Sequence, residues 1–235
     1  MDKHHESNKG VGTVSGKHPH ESSKPKKHEP GKDVDNGTKR TGDSINSDRE
    51  IKTLEQAHQW GSKYYDNWLE SLTQGERNAI IQYTGNDYTK INRYLRGLSD
   101  SLDGVDLQVV DNIISGLNKA KVPHNITVYR GTDFKPFQKI IKYDKYGNIK
   151  AESLVGKKIK DNGFVSTAIV KESSFDHMPI SWDIHVPQGS KAAYVGKISH
   201  YPNEAELLLN AGQEMVIKSA KVDSGGKLQI VVELI

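Results

Sequence analysis

Cysteine is absent from the 235-residue chain, which removes disulfide staples, thiolate nucleophiles and Cys-based zinc or iron–sulfur sites. No apolar run approaches the ~20 residues that a membrane-spanning helix requires. The start of the chain also lacks the apolar core of a secretory signal. An excess of one charge is missing too: 33 Lys+Arg against 30 Asp+Glu leave a net +3, without the basic footprint of a nucleic-acid-binding protein. Neither a G-x-G-x-x-G sequence nor a Walker sequence occurs. Hydrophobic residues make up only 34%, low for a globular protein.

That deficit is unevenly spread. Residues 1–48 hold no aromatic residue, and their only apolar members are Met1, Val11, Val14, Val34 and Ile45. Such a segment cannot bury enough apolar surface to offset an ordering cost of ~1–2 kcal/mol per residue, so it reads as a disordered arm. His4, His5, His18, His20 and His28 lie in this arm. Their i,i+1 and i,i+2 spacings hold no fixed geometry and no carboxylate cage accompanies them, so no metal site is assigned. Without the arm, residues 49–235 are roughly 40% hydrophobic, ordinary for a single domain.

Two regimes divide that domain. Over 49–121 the pattern is helical. Leu54, Ala57, Gly61, Tyr64, Trp68 and Leu72 recur at spacings of three and four. Thr73-Gln-Gly-Glu76 has the spacing of a capping box and predicts a second helix through Ile80 and Tyr83. Gly85-Asn86-Asp87 breaks that helix, and Asp87 is expected to cap a third through Ile91 and Leu95. A fourth is predicted near Leu107–Leu117. Over 122–235 the period falls to two, with strands expected at 126–130, 163–167, 181–186, 192–195, 214–220 and 228–234. Helices first and strands afterwards predict an α+β fold, with the helical part packed on a two-sheet antiparallel β-sandwich core.

Three short stretches carry chemistry. Arg130, in Tyr129-Arg130-Gly131, closes a strand beside a glycine, where a guanidinium can grip phosphate. In Gly163-Phe164-Val165-Ser166-Thr167-Ala168, two adjacent hydroxyls face opposite ways, one available to a carboxylate and one to the backbone. Glu204-Ala205-Glu206 would hold two carboxylates on the same side of an extended chain, about 6–7 Å apart. Such a pair suits a cationic transition state and a proton to remove. Each stretch taken alone also has a structural reading: a strand-end Arg, a common Ser-Thr pair, a solvated loop edge.

Taken in order, these stretches resemble the Arg … Ser-Thr-Ser … Glu-x-Glu constellation of bacterial mono-ADP-ribosyltransferase toxins. The similarity is to the group containing the actin-modifying A components of binary toxins and the related C3-like exoenzymes. The helical half agrees, since Tyr83-Thr84 … Tyr88 … Ile91-Asn92-Arg93-Tyr94-Leu95-Arg96 is similar to that group's "Tyr-Thr … Tyr … Ile-Asn-x-x-Leu-Arg" helix. Asn92 and Arg96 lie one turn apart on one face, with Tyr88 a turn earlier.

The resemblance implies an ADP-ribosyltransferase fold and NAD as co-substrate without a metal. It places Arg130 on the NAD phosphates, Gly131 on the nicotinamide amide, and Tyr88, Asn92, Arg96 and Thr167 among the NAD-binding residues. Ser166 would orient Glu206, which would hydrogen-bond the nicotinamide ribose and stabilise the oxocarbenium ion as nicotinamide leaves. Phe175 would belong to the loop that folds over the phosphates, and Tyr201 to the loop that recognises the target. Relatives that modify asparagine carry Gln where this chain has Glu204, so the resemblance implies an arginine acceptor on a protein, with host actin the leading candidate.

Two positions depart from the pattern. Ala168 replaces the last Ser, and Met178 stands where a phosphate-gripping Arg is usual, leaving Lys171 or His177 as substitutes. No second copy of the domain is visible, so no translocation partner can be named; a monomer, secreted and active in the target-cell cytosol, is expected. The remaining alternatives are action in the bacterial cytoplasm, an NAD glycohydrolase, a transferase on a bacterial or phage-related target, and an inactive docking module.

Overall fold

The computed structural model describes residues 50–174 and 177–235. The expected arm, with its five histidines, lies outside them, and the described residues fall within one compact unit.

Four α-helices come first: α1 (Leu54–Ser71), α2 (Gln74–Gln82), α3 (Tyr88–Leu95) and α4 (Leu107–Asn118). Thr53 caps α1, its side chain accepting from the Gln56 amide at 3.2 Å. The buried face of α1 is Ala57, Gly61, Tyr65, Trp68 and Leu69. Tyr64, expected on that face, is 36% exposed. From Gly61 the inward direction recurs four residues on rather than three, so Tyr65 goes to the core and stacks edge-on against Trp68.

The capping box forms as predicted. Thr73 Oγ1 accepts from the Glu76 amide at 3.2 Å, and the Thr73 amide donates to Glu76 at 2.8 Å. Glu76 does more than cap, because Ser115 of α4 and Lys119, which caps the end of α4, both donate to its carboxylate, at 2.7 and 2.6 Å. Burial alone would raise its pKa, but these partners, with the Thr73 amide, bring it down to about 2. This support for the α2–α4 contact is therefore fully present above the ordinary carboxylate range and fades as pH falls towards 2.

Between α2 and α3 the chain makes a π-helical turn at Tyr83–Asp87, broken at Gly85, where φ is −82° and ψ is −125°. The break falls where expected, but Asp87 does not cap α3 with its side chain. That carboxylate is taken up by Gln82 at 2.8 Å and Lys90 at 3.0 Å.

Eight strands follow: β1 (Ile126–Thr132), β2 (Lys158–Asp161), β3 (Val165–Ala168), β4 (Ile180–Val186), β5 (Ala192–Tyr194), β6 (Glu206–Leu209), β7 (Gln213–Val222) and β8 (Leu228–Leu234). All six expected strands form. The two not predicted lack an alternating apolar signal: β2, at a sheet edge, is Lys-Ile-Lys-Asp with one apolar residue, and β6 is buried at every residue.

The two antiparallel sheets expected from the sequence are replaced by one continuous mixed sheet, in the order β2-β7-β8-β4-β1-β3-β6-β5. Its β4–β8 pair is parallel, with Ile180 opposite Leu228 and Ile184 opposite Val232. Inward–outward alternation is the same for either direction of pairing, so periodicity could not reveal this. At β1–β3 the sheet is joined through a single register pair, Tyr129 opposite Ala168, which links five strands to three. Strands β1, β3 and β6, at and beside that joint, carry Arg130, Ser166 and Glu206.

Candidate active site

Helix α3 and the sheet joint together form a cleft lined by Tyr88, Thr89, Asn92, Arg93, Arg96, Arg130 and Ser166. Five of these seven are residues singled out in the sequence. Tyr88, Asn92 and Arg96 come from α3, Arg130 from β1 and Ser166 from β3, and only folding brings them together.

Arg130 is 8% exposed, and its Nη1 donates to the Ser166 carbonyl at 2.7 Å. Burial pushes its pKa down, opposed by the carboxylates of Asp161 and Glu206. An ordinary guanidinium value is so high that the group still stays charged at neutral pH. Arg96 is held in a fork by Asp161, with bonds of 2.8 and 2.9 Å. Asp161 thus offsets positive charge on the cleft wall and fixes one guanidinium in place.

The Asn92 side chain is anchored at both ends. Its Nδ2 donates to the Tyr83 hydroxyl at 2.9 Å, and its Oδ1 accepts from the Phe164 amide at 2.9 Å. Gly163 makes this approach feasible, since a Cβ there would lie 2.7 Å from Asn92 Oδ1 and 3.0 Å from Arg96 Nε. Asn92 is therefore a strut between α3 and the turn into β3, as well as a lining residue.

Tyr83, part of the helical motif but not chosen as a site residue, is the group the sequence reading missed. It is fully buried, its hydroxyl lies 3.4 Å from Ser166 Oγ, and its ring stands edge-on to Phe164. Burial, together with the charge of Glu206, pushes its pKa up to about 12. Its i−5 spacing to Tyr88 and i−9 spacing to Asn92 did not mark it for the cleft, because the π-helical turn between them rotates α3 relative to α2. Thr89 and Arg93 were also missed. Arg93 is exposed at the cleft rim, four residues after Thr89 on the same helix.

Ser166 and Thr167 divide their work as the strand geometry predicted: Thr167 Oγ1 donates to the Leu207 carbonyl of β6 at 2.6 Å, whereas Ser166 faces the cleft. Gly131 is buried in β1 opposite Ser181 of β4. Phe175 lies outside the described residues. Lys171, a suggested substitute for the usual arginine, sits 3.8 Å from Asp183 and over the Tyr129 ring.

The Glu-x-Glu geometry differs from the expectation. Glu204 ends a 3₁₀ turn (Pro202–Glu204), Ala205 takes the left-handed conformation at φ 45° and ψ 47°, and only Glu206 begins β6. The two carboxylates are therefore not side by side on an extended chain. Glu206 is 2% exposed and lies close enough to Tyr83 and Arg130 to shift both, while Glu204 is half-buried. The carbonyl of Ala205 accepts from Ile169, tying the reversal to the end of β3 at 3.1 Å.

The preceding loop rests on the π-helical turn. The His200 amide donates to Thr84 Oγ1 at 3.2 Å, and the His200 ring lies where a Cβ on Gly85 would be 3.1 Å away. Tyr201, half-buried, occupies the position just before the 3₁₀ turn.

Comparison with known proteins agrees with this geometry. Residues 57–235 match the family described as ADP-ribosyltransferase exoenzyme. A mono-ADP-ribosyltransferase C3 of Clostridium botulinum D phage is 29% identical over 201 residues, covering 80% of this chain and 78% of the relative. The ADP-ribosylating toxin BECa of a Clostridium perfringens binary enterotoxin, solved with NADH, superimposes with a TM-score of 0.65 at 31% identity, over 78% of this chain and 49% of that one. An NAD(+)–arginine ADP-ribosyltransferase of Enterococcus faecalis is 24% identical, over 65% of this chain and 30% of the relative. A cleft lined by three guanidinia and a strand hydroxyl, with the buried Glu206 close enough to act on Arg130, suits a dinucleotide diphosphate and its ribose. The chain belongs to the ADP-ribosyltransferase exoenzyme family and is an NAD-dependent mono-ADP-ribosyltransferase of a protein target.

Proposed function

We propose that the acceptor is an arginine side chain, and that the carrying observation is the reversal at Glu204-Ala205-Glu206. It places one carboxylate in the buried part of the site and leaves the other accessible at its outer edge. Glu206, beside Arg130 and Tyr83, stabilises positive charge at the anomeric carbon as nicotinamide departs, with Ser166 orienting it. Arg130 and Arg96 hold the diphosphate side, with Tyr88, Asn92 and Thr167 shaping the binding wall and Gly131 offering its backbone.

Glu204, reached from solvent, orients an incoming guanidinium and assists its deprotonation. Tyr201 flanks it as a contact for the target. The arginine transferase of Enterococcus faecalis among the relatives supports this assignment. Actin is the first acceptor to test, and the reading places the enzyme outside its producer, in the target-cell cytosol. A single catalytic domain over 49–235, acting as a monomer, suffices for this chemistry.

Mass spectrometry of the protein labelled by this enzyme and NAD in a eukaryotic lysate tests the proposal. ADP-ribose on an arginine is the expected result; ADP-ribose on an asparagine or cysteine would overturn it. Release of nicotinamide with no labelled protein would point instead to a glycohydrolase.

A further inference from the structure

Away from the cleft, the crossing from β1 to β2 concentrates positive charge on exposed side chains. Residues 139–158 contain six Lys (139, 142, 145, 150, 157 and 158) against Asp144 and Glu152, a net +4, whereas the whole chain is +3. All six lysines are exposed, and none pairs with a carboxylate among the described residues.

The same stretch also displays apolar surface: Tyr143 is 57% exposed, Tyr146 77% and Val155 49%. Lys145 Nζ lies 4.8 Å from the centre of the Tyr146 ring.

This is a built hairpin. Tyr143 bridges Ile149, the Asp144 amide donates to Asn148 at 2.8 Å, and the Lys150 amide donates to Lys142 at 2.8 Å. Asp144, the one acid within 139–150, turns its carboxylate inward onto the Tyr146 and Asn148 amides and the Asn148 side chain, at 2.7, 2.9 and 3.0 Å. Those bonds hold its pKa below the usual carboxylate range and turn it to the loop backbone rather than to an ion pair with a neighbouring lysine. At the base, Ile140, Ile141 and Ile149 pack on the core. The turn is therefore held in place from beneath while its cations and phenol rings face water.

We infer that this hairpin is a docking surface for an anionic phospholipid membrane. Lysines that gain from a negative headgroup layer surround tyrosines whose amphipathic rings suit the depth of that layer. The most exposed ring, Tyr146, sits at the tip of that turn. A fluid headgroup layer conforms to such a tip, whereas a protein partner would need a matching pocket. None of these residues lines the cleft, so the surface is additional to the transferase site.

Co-sedimentation of the full chain with phosphatidylcholine vesicles, with and without phosphatidylserine, tests the inference. Binding that requires phosphatidylserine and weakens with added salt is expected. Neutralising Lys142 or Lys145 singly (Lys→Gln) should lower the partition coefficient roughly fivefold each. The double variant Lys142→Glu/Lys145→Glu should abolish binding, and Tyr146→Ser should weaken it while preserving its salt dependence. NAD hydrolysis by each variant, measured alongside, should equal that of the parent and shows that the fold is intact.

Equal binding to both vesicle types would overturn the inference. So would phosphatidylserine binding that the hairpin substitutions leave unchanged. A raised KM for a protein acceptor without any vesicle binding would also overturn it, in favour of an acidic protein partner.

Discussion

The inner part of the site and its outer rim are built on opposite principles. Inside, Arg130, Asn92 and Glu206 are nearly excluded from water. Asn92 and Tyr83 share a bond, Arg130 bonds the Ser166 backbone, and Asp161 clamps Arg96. At the proposed rim, Glu204 sits on a 3₁₀ turn, Arg93 is exposed at the cleft, and the loop before Glu204 touches the helical half through Thr84 and the His200–Gly85 contact. On the proposed reading, the difference separates two tasks. Breaking the glycosidic bond of NAD needs groups fixed before the reaction starts, whereas admitting a protein side chain needs an accessible edge.

The largest expected effects come from separating the two carboxylates. Glu206→Ala should lower both NAD hydrolysis and protein transfer by about 10³-fold, since it removes charge stabilisation common to both. Glu204→Ala should lower transfer by about 10²-fold while leaving hydrolysis within a few-fold of the parent. Parallel nicotinamide-release and protein-labelling assays distinguish them, and the comparison fails if Glu204→Ala reduces both reactions equally.

Arg93 is the next test. Its guanidinium at the cleft rim is a cation suited to the phosphates. Arg93→Ala should raise the KM for NAD about two- to fivefold with little change in kcat, the scale of an exposed ionic contact. A drop in kcat alone would instead place Arg93 in the chemistry.

The smallest effect is expected at Gly85. An added Cβ would press on the His200 ring at 3.1 Å and shift the loop by a few tenths of an ångström. Gly85→Ala should therefore reduce transfer about threefold while sparing hydrolysis. Equal loss of both would mean that the π-helical turn serves the inner site as much as the rim.

Much of this arrangement was legible in the chain itself. The capping box at Thr73, the break at Gly85 and six of the strands depend on local residue chemistry, which composition and periodicity report directly. Tyr88, Asn92, Arg96, Arg130 and Ser166 were visible as motifs, and they share one cleft. Tyr83 was not visible as a site residue, because its role depends on a π-helical turn that aims its hydroxyl at a strand more than eighty residues away. Strand β6 was hidden by the continuity of its apolar run, and β2 by the lack of one.

The sequence by itself determined the four helices and six of the eight strands, the polar composition of the arm, and which residue types could handle a diphosphate and a developing cation. Those are properties of short-range patterning and side-chain chemistry. Only the tertiary structure decided that β8 runs parallel to β4, that Asn92 is a strut, and that Ala205 turns Glu204 and Glu206 into different environments. Each of these depends on which distant backbone a residue meets; the left-handed alanine is tied both to Pro202 within its own turn and to Ile169 just after β3.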